Sequence, residues 1–105
     1  MVTRKIAIEI IQRFVKELKT SGYNPTSVLL FGSIAKGNAH KHSDIDVAIW
    51  DNKFTGSRPA DIEKIISIKV RYPGLELHTF HSSDTKETNP FIGEILKRGI
   101  PIKTE

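Results

Sequence analysis

Two short segments contain residues whose types and spacing suit phosphate chemistry. The first reads Gly-Ser-Ile-Ala-Lys-Gly from Gly32 to Gly37, directly after an apolar run. A helix that starts just after Gly32-Ser33 would present unpaired backbone N–H groups and the positive end of its dipole to phosphate oxygens. The glycine allows a phosphate to approach the backbone closely, and the Ser33 hydroxyl can donate to the same oxygens. This segment therefore predicts a phosphate-binding turn.

The second segment, Ser43-Asp44-Ile45-Asp46, places two carboxylates close together, and ten residues separate Ser33 from Asp44. On a strand, Asp44 and Asp46 would project from the same face with about 7 Å between their Cα atoms. Carboxylate oxygens at this spacing suit a pair of Mg²⁺ or Mn²⁺ ions about 3.5 to 4 Å apart, which clamp the attacking and leaving oxygens in phosphoryl transfer. Without a cation, each carboxylate would raise the pKa of the other. The spacing thus predicts a divalent metal site.

The elements that must position these segments follow from hydrophobic periodicity. Apolar residues recur at three- and four-residue steps from Thr3 to Thr20, which predicts an amphipathic helix that ends near Gly22. The apolar run Val28–Phe31 is typical of a strand buried on both faces. Residues Ser43–Trp50 predict a second strand that has Asp44, Asp46 and Ala48 on one face.

The second half of the chain predicts two more helices and further strands. Helical spacing from Pro59 to Lys69 favours a helix, and alternation over Leu75–Phe80 predicts a half-buried third strand. A short helix around Phe91 and Leu96 should end at Gly99, followed by an edge strand over 100–102. The predicted fold class is α/β, with a small mixed β-sheet packed by helices.

Composition limits the alternatives. The 105 residues suit a single domain over 1–105, and there is no cysteine for a disulfide or a thiolate metal site. No run approaches the ~18 apolar residues of a membrane span, so we expect a cytoplasmic protein with no membrane partner. The net charge of +4 is a mild bias toward phosphorylated partners and does not by itself indicate nucleic-acid binding.

Taken together, the two segments resemble the signature of the polymerase-β-like nucleotidyltransferase superfamily, specifically its minimal nucleotidyltransferase (MNT) branch. The resemblance extends to the leading helix and to a closing helix that ends in Leu96-Lys97-Arg98-Gly99-Ile100. It implies the fold of that superfamily and transfer of a nucleoside monophosphate from an NTP, most simply ATP, to a hydroxyl.

The resemblance also implies roles for individual residues. Gly32, Ser33, Lys36 and Ser43 would bind the nucleotide, and Asp44 and Asp46 would be catalytic metal ligands. A third carboxylate, which completes the metal site and acts as a base in the family, matches Glu76. The family more often has aspartate at the position of Glu76 and arginine at that of Lys36. Lysine keeps the positive charge of that arginine but lacks its bidentate fork.

The resemblance leaves alternatives open. MNT proteins often pair with a helical HEPN toxin, so this chain is expected to form a homo-oligomer or to bind a HEPN-like partner. One alternative is an antitoxin that acts mainly by binding its toxin. Another is a nucleotide-binding module without turnover. Nucleic acid is a less favoured acceptor than protein.

Each segment also has a structural explanation. An Asp-x-Asp pair is common on solvated strands, and a lone Gly-Ser is a turn. Glu76 fits any half-solvated strand. His78 lies on the same face, but a lone histidine is usually a surface or packing residue, so it is left out of the predicted catalytic set. The cluster of Lys36, His40, Lys41 and His42 is either a triphosphate clamp or a solvated charge run.

Overall fold

The computed structural model describes residues 2–40 and 43–104, and its elements follow the predicted order. In chain order these are α1 (Arg4–Thr20), β1 (Ser27–Phe31), α2 (Gly32–Lys36), β2 (Ile45–Asp51), α3 (Arg58–Lys64), α4 (Ile66–Lys69), β3 (Leu75–His81), α5 (Pro90–Arg98) and β4 (Ile100–Pro101). No helix among these residues is long and apolar enough to cross a membrane.

The four strands form one mixed sheet in the order β3-β2-β1-β4. β2 runs parallel to β3, whereas β1 is antiparallel to both β2 and β4. The register aligns Asp46 of β2 with Phe31 on one side and with Glu76 on the other. The predicted α/β class with a small mixed sheet is confirmed, and this register brings together the two segments that were predicted to have phosphate chemistry.

Side chains alternate between two apolar layers, one on each face of the sheet. The larger layer includes Phe14 and Leu18 of α1, and Leu30 and Val47 of the central strands. The smaller one contains Leu29, Ala48, Trp50, Phe80, Ile92 and Ile95, with Phe31 packed against it. Asp46 is two residues from Ala48, so it shares the smaller layer's face, which α5 covers.

The leading helix begins and ends as its sequence predicts. The Thr3 hydroxyl caps α1 by accepting from the Ile6 backbone N–H at 3.1 Å, and Gly22 has φ = 95° just beyond the helix. A left-handed conformation after a helix favours glycine because it has no Cβ to clash. The boundaries of α1 therefore arise from local chemistry.

Two elements differ from the predicted ones. β2 starts at Ile45, so Ser43 and Asp44 precede the strand, and the Ser43 hydroxyl accepts from the His40 backbone N–H at 2.8 Å. The helix predicted from Pro59 to Lys69 is interrupted at Ile65, which has φ = −115° and is buried. Ile65 is β-branched, and such residues lose χ1 freedom in a helix, so a non-helical conformation at this buried position costs little.

Asp61 is a buried carboxylate with a structural role. It is fully buried on α3 and accepts hydrogen bonds from the Thr55 and Gly56 backbone N–H groups and from the Thr79 hydroxyl. These donors satisfy its oxygens and link the loop after β2 to β3. Asp61 therefore stabilises the fold and takes no part in the site described next.

Candidate functional site

Gly32 and Asp46 are in direct contact where β1 ends and β2 begins. Gly32 has φ = 77°, and a Cβ atom built on it would lie 2.1 Å from Asp46 Oδ2. This close approach requires glycine for two independent reasons, its left-handed backbone and the missing side chain. The structure therefore brings the two predicted segments together, with the Asp46 carboxylate against the Gly32 backbone.

Asp46 has an unusual electrostatic environment. Its side chain is 26% exposed. Burial, followed by the negative charges of Glu76 and Asp44, raises the pKa of Asp46 to about 6, while Arg58 acts in the opposite direction. Asp46 is thus surrounded by more negative than positive charge.

Glu76 is bound by an arginine from α3. Arg58 Nη2 lies 3.0 Å from Glu76 Oε1, and Arg58 Nε donates to the Leu77 carbonyl. The Arg58 hydrogen bond is the main reason why the pKa of Glu76 lies below its ordinary value. Glu76 is therefore held ionised beside Asp46. Arg58 was not predicted, because nothing local in the sequence connects it with a residue 18 positions later.

His78 is also part of this region. Its Nε2 lies 4.0 Å from Asp46 Oδ1, and its ring packs against Phe31 and Phe91 with centroid distances of 5.0 and 5.4 Å. Burial, followed by the positive charge of Arg58, lowers the pKa of His78. The neutral imidazole is thus favoured, in agreement with the packing role that its position on the strand suggested.

The predicted phosphate-binding segment is held by the leading helix. Arg4 Nη2 donates to the Ala35 carbonyl at 2.7 Å and Arg4 Nε to the Ile34 carbonyl at 3.3 Å, at the end of α2. A cation at a helix C-terminus satisfies carbonyls that have no partner within the helix. Arg4 therefore holds the segment that follows Gly32. It was not predicted, because the contact spans 31 positions.

The other predicted site residues are half-buried or exposed to solvent, at the rim of this region. Ser33 is half-buried, whereas Lys36 and Asp44 are exposed. Ser43 is half-buried, and its hydroxyl accepts from the His40 backbone N–H. Lys41 and His42 lie outside the described residues.

The chemistry of the donor set suits a divalent cation, although the side chains are not arranged as ligands. Asp44, Asp46 and Glu76 are carboxylates, the donors that Mg²⁺ and Mn²⁺ prefer, and both neighbours raise the pKa of Asp46. Among the residues that the structure describes, however, no three acidic or histidine side chains form a ready-made metal group. Glu76 Oε1 is instead held by Arg58.

The raised pKa of Asp46 predicts a pH-dependent stability. An acid whose folded pKa of about 6 exceeds its ordinary value of 3.8 destabilises the fold increasingly as pH rises between these two values, in full above the folded pKa and not at all below the unfolded one. Asp46→Asn should therefore raise the free energy of unfolding of the metal-free protein by about 1 to 3 kcal/mol at pH 8 and by less at pH 5.

Urea unfolding in a chelator at both pH values measures this effect. Glu63→Gln is the control, because Glu63 is an exposed carboxylate on α3. An Asp46→Asn variant that is no more stable than the parent at pH 8 would contradict the assigned environment.

Comparisons with known proteins agree with the family resemblance that the sequence showed. The family model described as "Nucleotidyltransferase domain" matches residues 11–101. Among solved structures, one described as "Crystal structure of the toxin-antitoxin with AMP-PNP" matches with a TM-score of 0.55 and 18% identity, over 90% of this chain and 73% of that one. At this identity the likeness supports the fold alone. No curated protein matches.

Proposed function

The chain belongs to the nucleotidyltransferase domain family and fits its minimal branch, and from this premise we propose that residues 1–105 act as one domain that transfers a nucleoside monophosphate from ATP to a hydroxyl acceptor. The observation that carries the proposal is the contact between Gly32 and Asp46, with Glu76 aligned on the neighbouring strand. It puts a turn suited to phosphates beside a cluster of carboxylates.

The proposed roles follow from position. Gly32 and Ser33, with Ser43 and the charge of Lys36 at the rim, bind the phosphates. Asp44 and Asp46 would hold Mg²⁺ or Mn²⁺, which supplies charge neutralisation when bound, and Glu76 is proposed as the third ligand or the base.

The chemical step conserves atoms and charge. The acceptor oxygen forms a bond to the α-phosphorus, the bond to the bridging oxygen breaks, and pyrophosphate leaves. In the base role, Glu76 takes the hydroxyl proton; its lowered pKa keeps it ionised for this step, at the cost of a weaker affinity for the proton. Arg58 is a positioning residue in this scheme because it orients the Glu76 carboxylate.

Replacing Glu76 tests the proposed base. Glu76→Gln keeps the shape and an oxygen that can accept from Arg58, but it removes the negative charge and the proton acceptor. We expect pyrophosphate release at saturating ATP to fall about 10²-fold or more. Nucleotide affinity should change much less, because Asp44 and Asp46 remain. An unchanged rate in Glu76→Gln, with Glu63→Gln as control, would assign Glu76 to an ordinary strand face.

An antitoxin role is the second candidate. The structural relative is described as a toxin-antitoxin protein, and we propose a second copy or a HEPN-like helical protein as partner. On α5, Ile92 and Ile95 are each only 1% exposed, because they pack in the smaller apolar layer. Leu96 and Phe91 remain 55% and 42% exposed.

The two candidates differ in a measurable way. Tight co-purification with a partner, without nucleotide transfer to it, would favour binding alone. Nucleotide binding with neither partner nor turnover would favour a nucleotide-binding module.

A further inference from the structure

A cleft between α2 and α5 opens beside the proposed nucleotide site. It has a volume of about 300 Å³ and is lined by Gly32, Lys36, Phe91, Glu94, Lys97 and Arg98, among others. This volume lies at the small end of the range for small-molecule sites. We call it the α2–α5 cleft. Gly32 lines the cleft and also contacts Asp46, so the cleft lies next to the carboxylate site.

Three of its lining side chains are cationic. Lys36 comes from α2, whereas Lys97 and Arg98 come from the last turn of α5. One carboxylate opposes them: Glu94 Oε2 lies 2.8 Å from Lys97 Nζ. The Lys97 hydrogen bond and charge, with a smaller contribution from Lys36, lower the pKa of Glu94. Lys36 therefore lies close enough to α5 to influence its charges.

Electrostatic complementarity indicates what the cleft binds. The carboxylates of Asp44, Asp46 and Glu76 repel a polyphosphate, and the cations across Gly32 attract it. Polyphosphate binding here would release Lys97 from Glu94 and give each cation a charge-assisted hydrogen bond. An acidic peptide would meet the same cations, but it has no reason to extend toward Gly32 and the carboxylates.

We propose that the α2–α5 cleft binds the polyphosphate end of the nucleotide, with Lys97 and Arg98 of α5 as binding residues and Glu94 as a carboxylate that competes for Lys97. The inference rests on the proposed function for its choice of ligand. It assigns to α5 a part of the nucleotide site that no sequence motif indicated. Lys36 links this cleft to the phosphate-binding segment.

Inorganic tripolyphosphate is the probe, titrated by calorimetry in a chelator at low salt. The Lys97→Gln/Arg98→Gln double variant should weaken tripolyphosphate binding about tenfold and reduce its salt dependence. Glu94→Gln should strengthen it about threefold, because it frees Lys97. The matched control is Arg13→Gln/Lys16→Gln, which removes one exposed arginine and one exposed lysine from α1.

The outcomes separate this inference from the proposed function. Equal affinities in the parent and the Lys97/Arg98 double variant, or an equal loss in the α1 control, would overturn the cleft assignment even if the parent is an active transferase. Loss of stability without loss of tripolyphosphate affinity would also overturn it, since the two cations would then only complement the α5 dipole. If the parent binds tripolyphosphate through Lys97 and Arg98 but never transfers nucleotide, the result would support the cleft assignment and contradict the proposed transferase.

Discussion

Asp46→Asn is expected to abolish nucleotide transfer, with a fall of about 10³-fold or more in pyrophosphate release. The reason is position, because Asp46 lies against Gly32, next to Glu76 in register and within the influence of Asp44. Its replacement removes the carboxylate that lies between Gly32 and Glu76. We expect the binding of Mg-ATP to be lost in the same variant and in Asp44→Asn.

Calorimetric titration with Mg-ATP checks both variants. Because Asp46→Asn should stabilise the metal-free fold, a loss of binding together with a raised melting temperature excludes unfolding as the cause. If both variants bind Mg-ATP as tightly as the parent, the metal assignment is wrong.

The second large effect is expected at Gly32. An alanine there would have to adopt φ = 77°, and its Cβ would lie 2.1 Å from Asp46 Oδ2. We expect Gly32→Ala to lower the free energy of unfolding by about 1 to 3 kcal/mol. Turnover should fall about 10²-fold, because Asp46 must move away from its position.

Gly74→Ala is the matched control, since a Cβ at Gly74 meets no atom within 4 Å. Kinetics and urea unfolding of the two variants separate a local displacement from a general loss of glycine flexibility. Equal, small effects in both would show that Gly32 does not need to approach Asp46.

The sequence predicted those parts of the fold that depend on local pattern. The hydrophobic period of α1, the apolar run of β1 and the alternation in β3 each identify one element without knowledge of its neighbours. The start of β2 and the interruption at Ile65 could not be obtained in this way. The hydrophobic pattern does not contain the information for either, because Ile65 is buried against other parts of the chain and Ser43 is hydrogen-bonded to His40.

The same distinction applies to the site. Gly32 and Asp46 were predicted from their residue types and spacing, and the sheet register brings them together. Arg58 and Arg4 could not be predicted, because each meets its partner across a long separation in the chain. The α5 cations could not be predicted as site residues, because the cleft that they line with Lys36 joins distant parts of the chain. Long-range contacts of this kind have no period and no motif, so only the folded arrangement reveals them.

The most direct test of the proposed transferase uses ATP labelled either on the α-phosphate or on the γ-phosphate, incubated with Mg²⁺, the chain and candidate acceptor proteins. We expect the α-label to appear on an acceptor and the γ-label in pyrophosphate, and Asp46→Asn to abolish both signals. Transfer of the γ-label to the acceptor, or α-label transfer that persists in Asp46→Asn, would contradict nucleotidyl transfer at this site.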